Sequence, residues 1–112
     1  MSKLVKSNIT KSRPPLPVLQ ERAGEMAEQL GLLSNANRLM VLCHLLEGEQ
    51  SVGALQAQLE LSQSALSQHL ARLREAGMVS TRRERQTIYY RIADARVHQM
   101  IEAMYLIYCD PD

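Results

Sequence analysis

Tryptophan and phenylalanine are absent from these 112 residues, and four tyrosines are the only aromatics. Any core must therefore be aliphatic. The 17 leucines and six methionines supply it, and both types favour helix over sheet. Cysteine is scarce as well. Cys43 and Cys109 are too few for a disulfide scaffold and too far apart for a CxxC zinc or redox motif. No apolar run approaches the ~20 residues of a membrane span, so no membrane partner is expected. Met1 to Arg13 is polar and basic, without the apolar centre of a secretory signal, and the expected compartment is cytoplasmic. There a conditional thiol pair is a better expectation than a permanent bridge.

Charge of one sign is also lacking overall, since 13 Lys+Arg against 12 Asp+Glu leave a net +1. The distribution is less even. Residues 72–91 hold six arginines (72, 74, 82, 83, 85 and 91) against Glu75 and Glu84, and Lys3, Lys6, Lys11 and Arg13 open the chain without an acid. A local basic stretch on a near-neutral chain points to one anionic contact face. With 46% hydrophobic residues the chain is not disordered as a whole, and its length fits one domain with one core. A deep enzyme cleft between two domains is not expected.

Residues 1–15 read as a flexible arm ending in Pro14-Pro15, and residues 16–112 as a single domain. Leu19, Ala23, Met26, Ala27 and Leu30 have helical spacing, with Gly31 as the stop. Ser34 or Asn35 can cap a second helix with a stripe of Leu39, Leu42, Cys43 and Leu46, ended by Gly48. Ser51 caps a short helix carrying Val52, Leu55 and Leu59. Ser62 caps another carrying Ala65, Leu66, Leu70, Leu73 and Ala76, which Gly77 ends. So short a link between these two forces a steep crossing, a helix-turn-helix. The period then changes to two: Met78–Arg83 and Thr87–Ile92 form a hairpin around Glu84-Arg85-Gln86. Asp94 caps a last helix with Val97, Met100, Ile101, Met104 and Tyr108 on one side, broken by Asp110-Pro111. The fold class is mainly α with a β-hairpin, in the order α-α-α-α-β-β-α of a winged helix-turn-helix.

The outward positions of the second helix of that motif are Gln63, Ser64, Ser67, Gln68, Ala71 and Arg72, with His69 beside them. Gln and Ser are hydrogen-bonding groups suited to base edges, and Gln can hold adenine through both amide atoms. The helix start presents free N–H groups to a phosphate. Arg82, Arg83, Arg85 and Gln86 at the hairpin tip would lie along the duplex as a wing. A solvated helix also shows Gln and Ser, and hairpin arginines can serve solubility alone. The order and combination of the signals favour double-stranded DNA as partner.

The run SVGALQAQLELSQSALSQHLARLREAGMVSTRRERQTIYY, Ser51 to Tyr90, resembles the core of the ArsR/SmtB bacterial repressors. Ser62 to Val79 carries the resemblance most specifically. It implies a homodimer built on the first and last helices, one recognition helix per subunit, and release from an operator by a chemical inducer. The family's metal sites can be checked by position. Where its arsenic and cadmium sensors carry a CxC, this sequence has Ser51 and Gly53. Of the zinc positions Asp94 remains, but the others fall on Arg96, Ile107 and Asp110. Nor do the remaining groups assemble a chelate. His98 and Cys109 are about 16 Å apart along one helix, and His44 points away from Cys43. No metal and no cofactor is expected.

Cys43 within LCHLL and Cys109 within YC are, taken alone, a small buried hydrophobe and an incidental terminal thiol. As a pair they resemble the sulfide- and persulfide-responsive branch of the family. That resemblance implies that the dithiol form binds DNA and that reactive sulfur species bridge Cys43 to Cys109 and lift repression. A metal-triggered or uninduced regulator, including one that displaces another silencer, is the alternative. A protein-binding adaptor would need to lack DNA affinity. A cysteine enzyme using Cys43 and His44 is disfavoured, because neighbouring helical residues diverge and no orienting acid is present.

Overall fold

The structure, a computed structural model, describes residues 15–109. Five helices and three short strands follow the expected order, with one addition. They are α1 (Leu16–Leu33), α2 (Ala36–His44), β1 (Gln50–Ser51), α3 (Val52–Leu59), α4 (Gln63–Glu75), β2 (Val79–Glu84), β3 (Thr87–Ile92) and α5 (Ala95–Cys109). The strands form an antiparallel sheet in the order β1-β3-β2. Residues 1–14 of the anticipated arm and the Asp110-Pro111 breaker lie outside the described residues.

Side-chain caps fix the central helices. Asn35, rather than Ser34, accepts from the Arg38 N–H at 3.0 Å to start α2. Ser51 and Ser62 accept from Ala54 and Ala65 at 3.1 and 3.0 Å to start α3 and α4. Asp94 accepts from Arg96 at 2.9 Å ahead of α5. The helix-turn-helix link is tight because Glu60 takes a left-handed conformation (φ 56°) directly after α3. At the far end of α4, Gly77 (φ 77°) donates to the Arg74 carbonyl and Met78 to that of Leu73, the two bonds of a Schellman motif. Met78 and Leu73 are both buried there, which seats the hairpin against α4.

The core is aliphatic throughout. Leu42, Leu55, Leu66, Leu70, Leu73, Val97 and Ile101 are among its buried members, and no polar or charged residue is buried among the described residues. Four expectations are corrected. Gly31 does not stop α1, which runs on to Leu33; a single glycine costs a helix only about 1 kcal/mol. The start also moves, to Leu16, where Pro15 and Pro17 suit the first turn, whose N–H groups need no partner. α2 ends at His44 instead of reaching Leu46. Its last turn tightens through bonds such as Leu46 N–H to Cys43 O, and this places Leu45 in the core. The first hairpin strand is shifted by one residue, to Val79–Glu84, because Met78 belongs to the α4 terminus; Thr87–Ile92 stands as expected, and the turn has two residues, Arg85-Gln86, between the paired Glu84 and Thr87.

Candidate nucleic-acid interface and thiol pair

Each residue along α4 turns the chain about 100°. Leu66, Leu70 and Leu73 therefore share the buried side, and Ser64, Gln68 and Ala71 point away from it. Gln63, Ser64, Ser67, Gln68 and Arg72 are all exposed, as a base-reading face requires. They are not equivalent. Gln63 and Ser67 lie on one flank, where with Arg74, Gln86, Ile88 and Tyr90 they line a cleft of about 690 Å³ between α4 and the wing. His69 lies on the opposite flank and is half-buried. There burial, then Arg38, then Arg72 depress its pKa.

The wing arginines also differ among themselves. Arg83 and Arg85 are exposed and form no ion pair among the described residues, and Arg85 occupies the turn with φ 60°. Arg82 is engaged instead. It pairs with Glu49 and Glu84, each at 2.9 Å, and its guanidinium sits 4.5 Å from the centre of the Tyr89 ring. Hydrogen bonds to Glu49 first, then to Glu84, hold it above the usual arginine range. Arg74 was not singled out from the sequence. Its place seven residues after Ser67, on the same side of a 3.6-residue helix, was the available signal.

Cys43 is half-buried on α2 and Cys109 is exposed at the end of α5, the helix packed against α2. Burial first, and then the charge of Cys109, raise the Cys43 pKa. Cys43 opens onto a cleft of about 630 Å³, lined also by His44, Gln50, His98 and Tyr105. The end of α2 is tied to the sheet. Gln50 donates to the His44 carbonyl at 2.7 Å and accepts from Gln58 at 3.1 Å, while β1 pairs with β3 at Tyr90. His98 on α5 lies 3.3 Å from the Leu46 carbonyl. Among the described residues no three His, Cys, Asp or Glu side chains are grouped to hold a metal, and no helix is long and apolar enough to cross a membrane.

Residues 35–81 match the family described as bacterial regulatory protein, arsR family. Over 98 residues the chain is 49% identical to the biofilm growth-associated repressor of Agrobacterium fabrum, covering 88% of this chain and 84% of that protein. It is 46% identical over 94 residues to the transcriptional activator HlyU of Vibrio cholerae, covering 84% and 87% respectively. The crystal structure of the transcriptional repressor BigR from Xylella fastidiosa superposes with a TM-score of 0.82 at 44% identity, over 86% of this chain and 98% of that one. The sequence match, carried across nearly the full length of both partners and joined to the same winged helix-turn-helix fold, means that the chain belongs to the arsR family of bacterial regulatory proteins.

Proposed function

We propose that the chain is a homodimeric transcriptional repressor that binds double-stranded operator DNA and releases it when reactive sulfur species bridge Cys43 to Cys109. Ser64, Ser67, Gln68 and Gln63 read base edges, while His69, Arg72, Arg83, Arg85 and Gln86 meet the backbone. Arg82, matched by Glu49 and Glu84, aligns the wing strand. The observation that carries the DNA reading is the polar face of α4 beside a wing whose tip arginines have no acidic partner among the described residues. Dimerisation is supported by the uncovered apolar side of α1, where Leu16, Leu19, Met26 and Leu30 are exposed, and by exposed Ile107 on α5.

The thiol reading is supported by the placement of the two free cysteines on α2 and at the end of α5, two helices that pack together. Cys43 is held as a thiol at neutral pH and is half-buried, so exposed Cys109 meets a dissolved reagent first. Its thiolate attacks the outer sulfur of an organic persulfide, RSSH, giving Cys109–S–SH and RS⁻. Cys43, giving up its proton as it attacks the inner sulfur, then displaces HS⁻, which takes up that proton as H₂S, to leave a Cys43–Cys109 disulfide; two protein thiols are oxidised and the sulfane sulfur is reduced. If both cysteines have been persulfidated, the same displacement leaves a trisulfide and H₂S. Either link ties α2 to α5 and, through Gln50 and β1, acts on the sheet that carries the wing. A change in half-site spacing of a few ångströms forfeits base contacts.

The test uses a duplex selected from a random library by the reduced protein. Glutathione persulfide should release this duplex and give a linked Cys43–Cys109 peptide within one subunit. Cys43→Ser and Cys109→Ser should each bind the duplex and each fail to respond. Retained binding of wild type after treatment, or a full response in Cys109→Ser, removes the dithiol mechanism and leaves DNA binding standing. A second reading is favoured by the activator name of the Vibrio cholerae relative: the same protein–DNA contact displacing a silencer. A reporter that loses rather than gains expression on deletion of the chain would select it.

A further inference from the structure

The cleft between α4 and the wing takes one wall from each element. Gln63, Ser67 and Arg74 stand along the α4 wall, and Gln86 and Ile88 along the hairpin wall, around a space of about 690 Å³. Positions 63, 67 and 74 are separated by close to whole turns of a 3.6-residue helix, so the α4 wall is a polar stripe running the length of that helix. Arg74 and Gln86 are both exposed. Arg74 forms no ion pair among the described residues. Glu75 also lines the cleft, but it leaves α4 about 100° away from Arg74 and is not paired with it. Neither the outward face of α4 nor the wing tip makes use of the Arg74 charge.

We infer that this cleft seats the sugar-phosphate strand that separates the major groove from the adjoining minor groove, with Arg74 and Gln86 bonding its phosphates from opposite walls. This rests on the reading of α4 as a DNA-recognition helix and of the hairpin as its wing. The ~12 Å major groove admits a helix, and the neighbouring ~6 Å minor groove lies across a single sugar-phosphate strand. A protein that sets α4 in the first and the Arg85 turn at the second must straddle that strand. The strand then passes between the two elements, where the cleft is open. Its phosphates accept hydrogen bonds from the Arg74 guanidinium, whose charge they neutralise, and from the Gln86 amide N–H. Arginines at the wing tip hold the duplex from outside the cleft. A cation inside it fixes how far the helix and the wing sit from the same strand, and so gives Arg74 a role of its own.

The experiment measures affinity of the reduced protein for a labelled random-sequence duplex of about three helical turns (~30 base pairs) as a function of salt. Non-specific binding isolates phosphate contacts, and the slope of log affinity against log salt counts them at about 0.9 each. Arg74→Gln should lower the magnitude of that slope by about 1 per subunit, whereas Arg74→Lys should keep it. Gln86→Ala should weaken binding at every salt without altering the slope, because an amide releases no counterion. In parallel, phenylglyoxal modification of the wild-type chain, read by peptide mass, should show Arg74 protected by the duplex, which needs no variant to fold. An arginine that only offsets the dipole at the end of α4 would change stability and leave the slope alone. An unchanged slope in a folded Arg74→Gln, or equal modification with and without DNA, therefore overturns the seat. Full affinity in Gln86→Ala removes the hairpin wall from it and overturns the two-walled arrangement. Salt-independent or absent binding by wild type overturns the DNA reading itself, and the seat with it.

Discussion

Helices α1 and α4 differ in what they leave uncovered. The 13 residues of α4 bury Leu66, Leu70 and Leu73, and their exposed positions are mostly glutamine, serine and arginine. The 18 residues of α1 bury only Leu33, and their exposed positions include Leu16, Val18, Leu19, Met26 and Leu30. One helix is complete within the subunit and turns a polar face outward. The other is held to the subunit mainly at its end and keeps its apolar face open. Isolated helices of such length are marginal in water, so α1 needs a covering surface that α4 does not. An exposed polar face suits nucleic acid, and an exposed apolar face suits another protein chain.

The comparison breaks first at the apolar sites. Leu66→Ala removes a fully buried side chain and should cost about 2–5 kcal/mol, seen as a lower denaturation midpoint. Met26→Glu on the half-exposed face of α1 should leave the subunit's own core intact but separate the dimer in sedimentation velocity. Operator affinity should then fall by roughly 10²-fold or more, because two half-sites are no longer linked. A Met26→Glu protein that stays dimeric with full affinity would place the partner surface elsewhere and erase the contrast between the helices.

The polar side comes next. Gln68 points directly away from the α4 core, so Gln68→Ala should cost about 1–3 kcal/mol against the selected operator and little against random DNA. Gln63 lies in the wing cleft, and Gln63→Ala should lose less specificity. Competition binding with the two duplexes separates these outcomes. Equal losses for both glutamines would mean that the groove sees the cleft-facing flank as readily as the outward one.

Much of this arrangement is legible in the sequence because it is local. Ser51, Ser62 and Gly77 set the ends of α3 and α4, and the leucine spacing sets which side of α4 is buried. What escaped is tertiary. β1 is two residues long and exists only through pairing with β3, so no period reveals it. Gly31 reads as a stop, yet α1 passes through it. The partition of the arginines is also tertiary. Arg82 meets Glu49 from the loop before β1, whereas Arg83 and Arg85 find no acidic partner among the described residues. Composition counts those charges alike, whereas packing decides which remain unmatched.

The smallest effect tests that last distinction, within a single turn of the wing. Arg85 is exposed, lies at the turn and has no ion-pair partner among the described residues. Arg85→Gln should therefore reduce the salt slope of non-specific DNA binding by about 1 per subunit, one released counterion's worth. Arg82 carries the same charge on the same strand as Arg83, but Glu49 and Glu84 already match it. Removing a cation that is paired inside the protein frees two carboxylates and releases no DNA counterion. Arg82→Gln should leave the slope near the wild-type value while slightly lowering affinity, because the freed Glu49 repels the backbone and the strand loses its alignment over Tyr89. Glu49→Gln sharpens the point in the other direction. With its partner gone, Arg82 becomes available to phosphate, and the slope should steepen. If Arg82→Gln flattened the slope as much as Arg85→Gln, the ion pairs would be giving way to phosphate on binding, and all the wing arginines would contact DNA as a set.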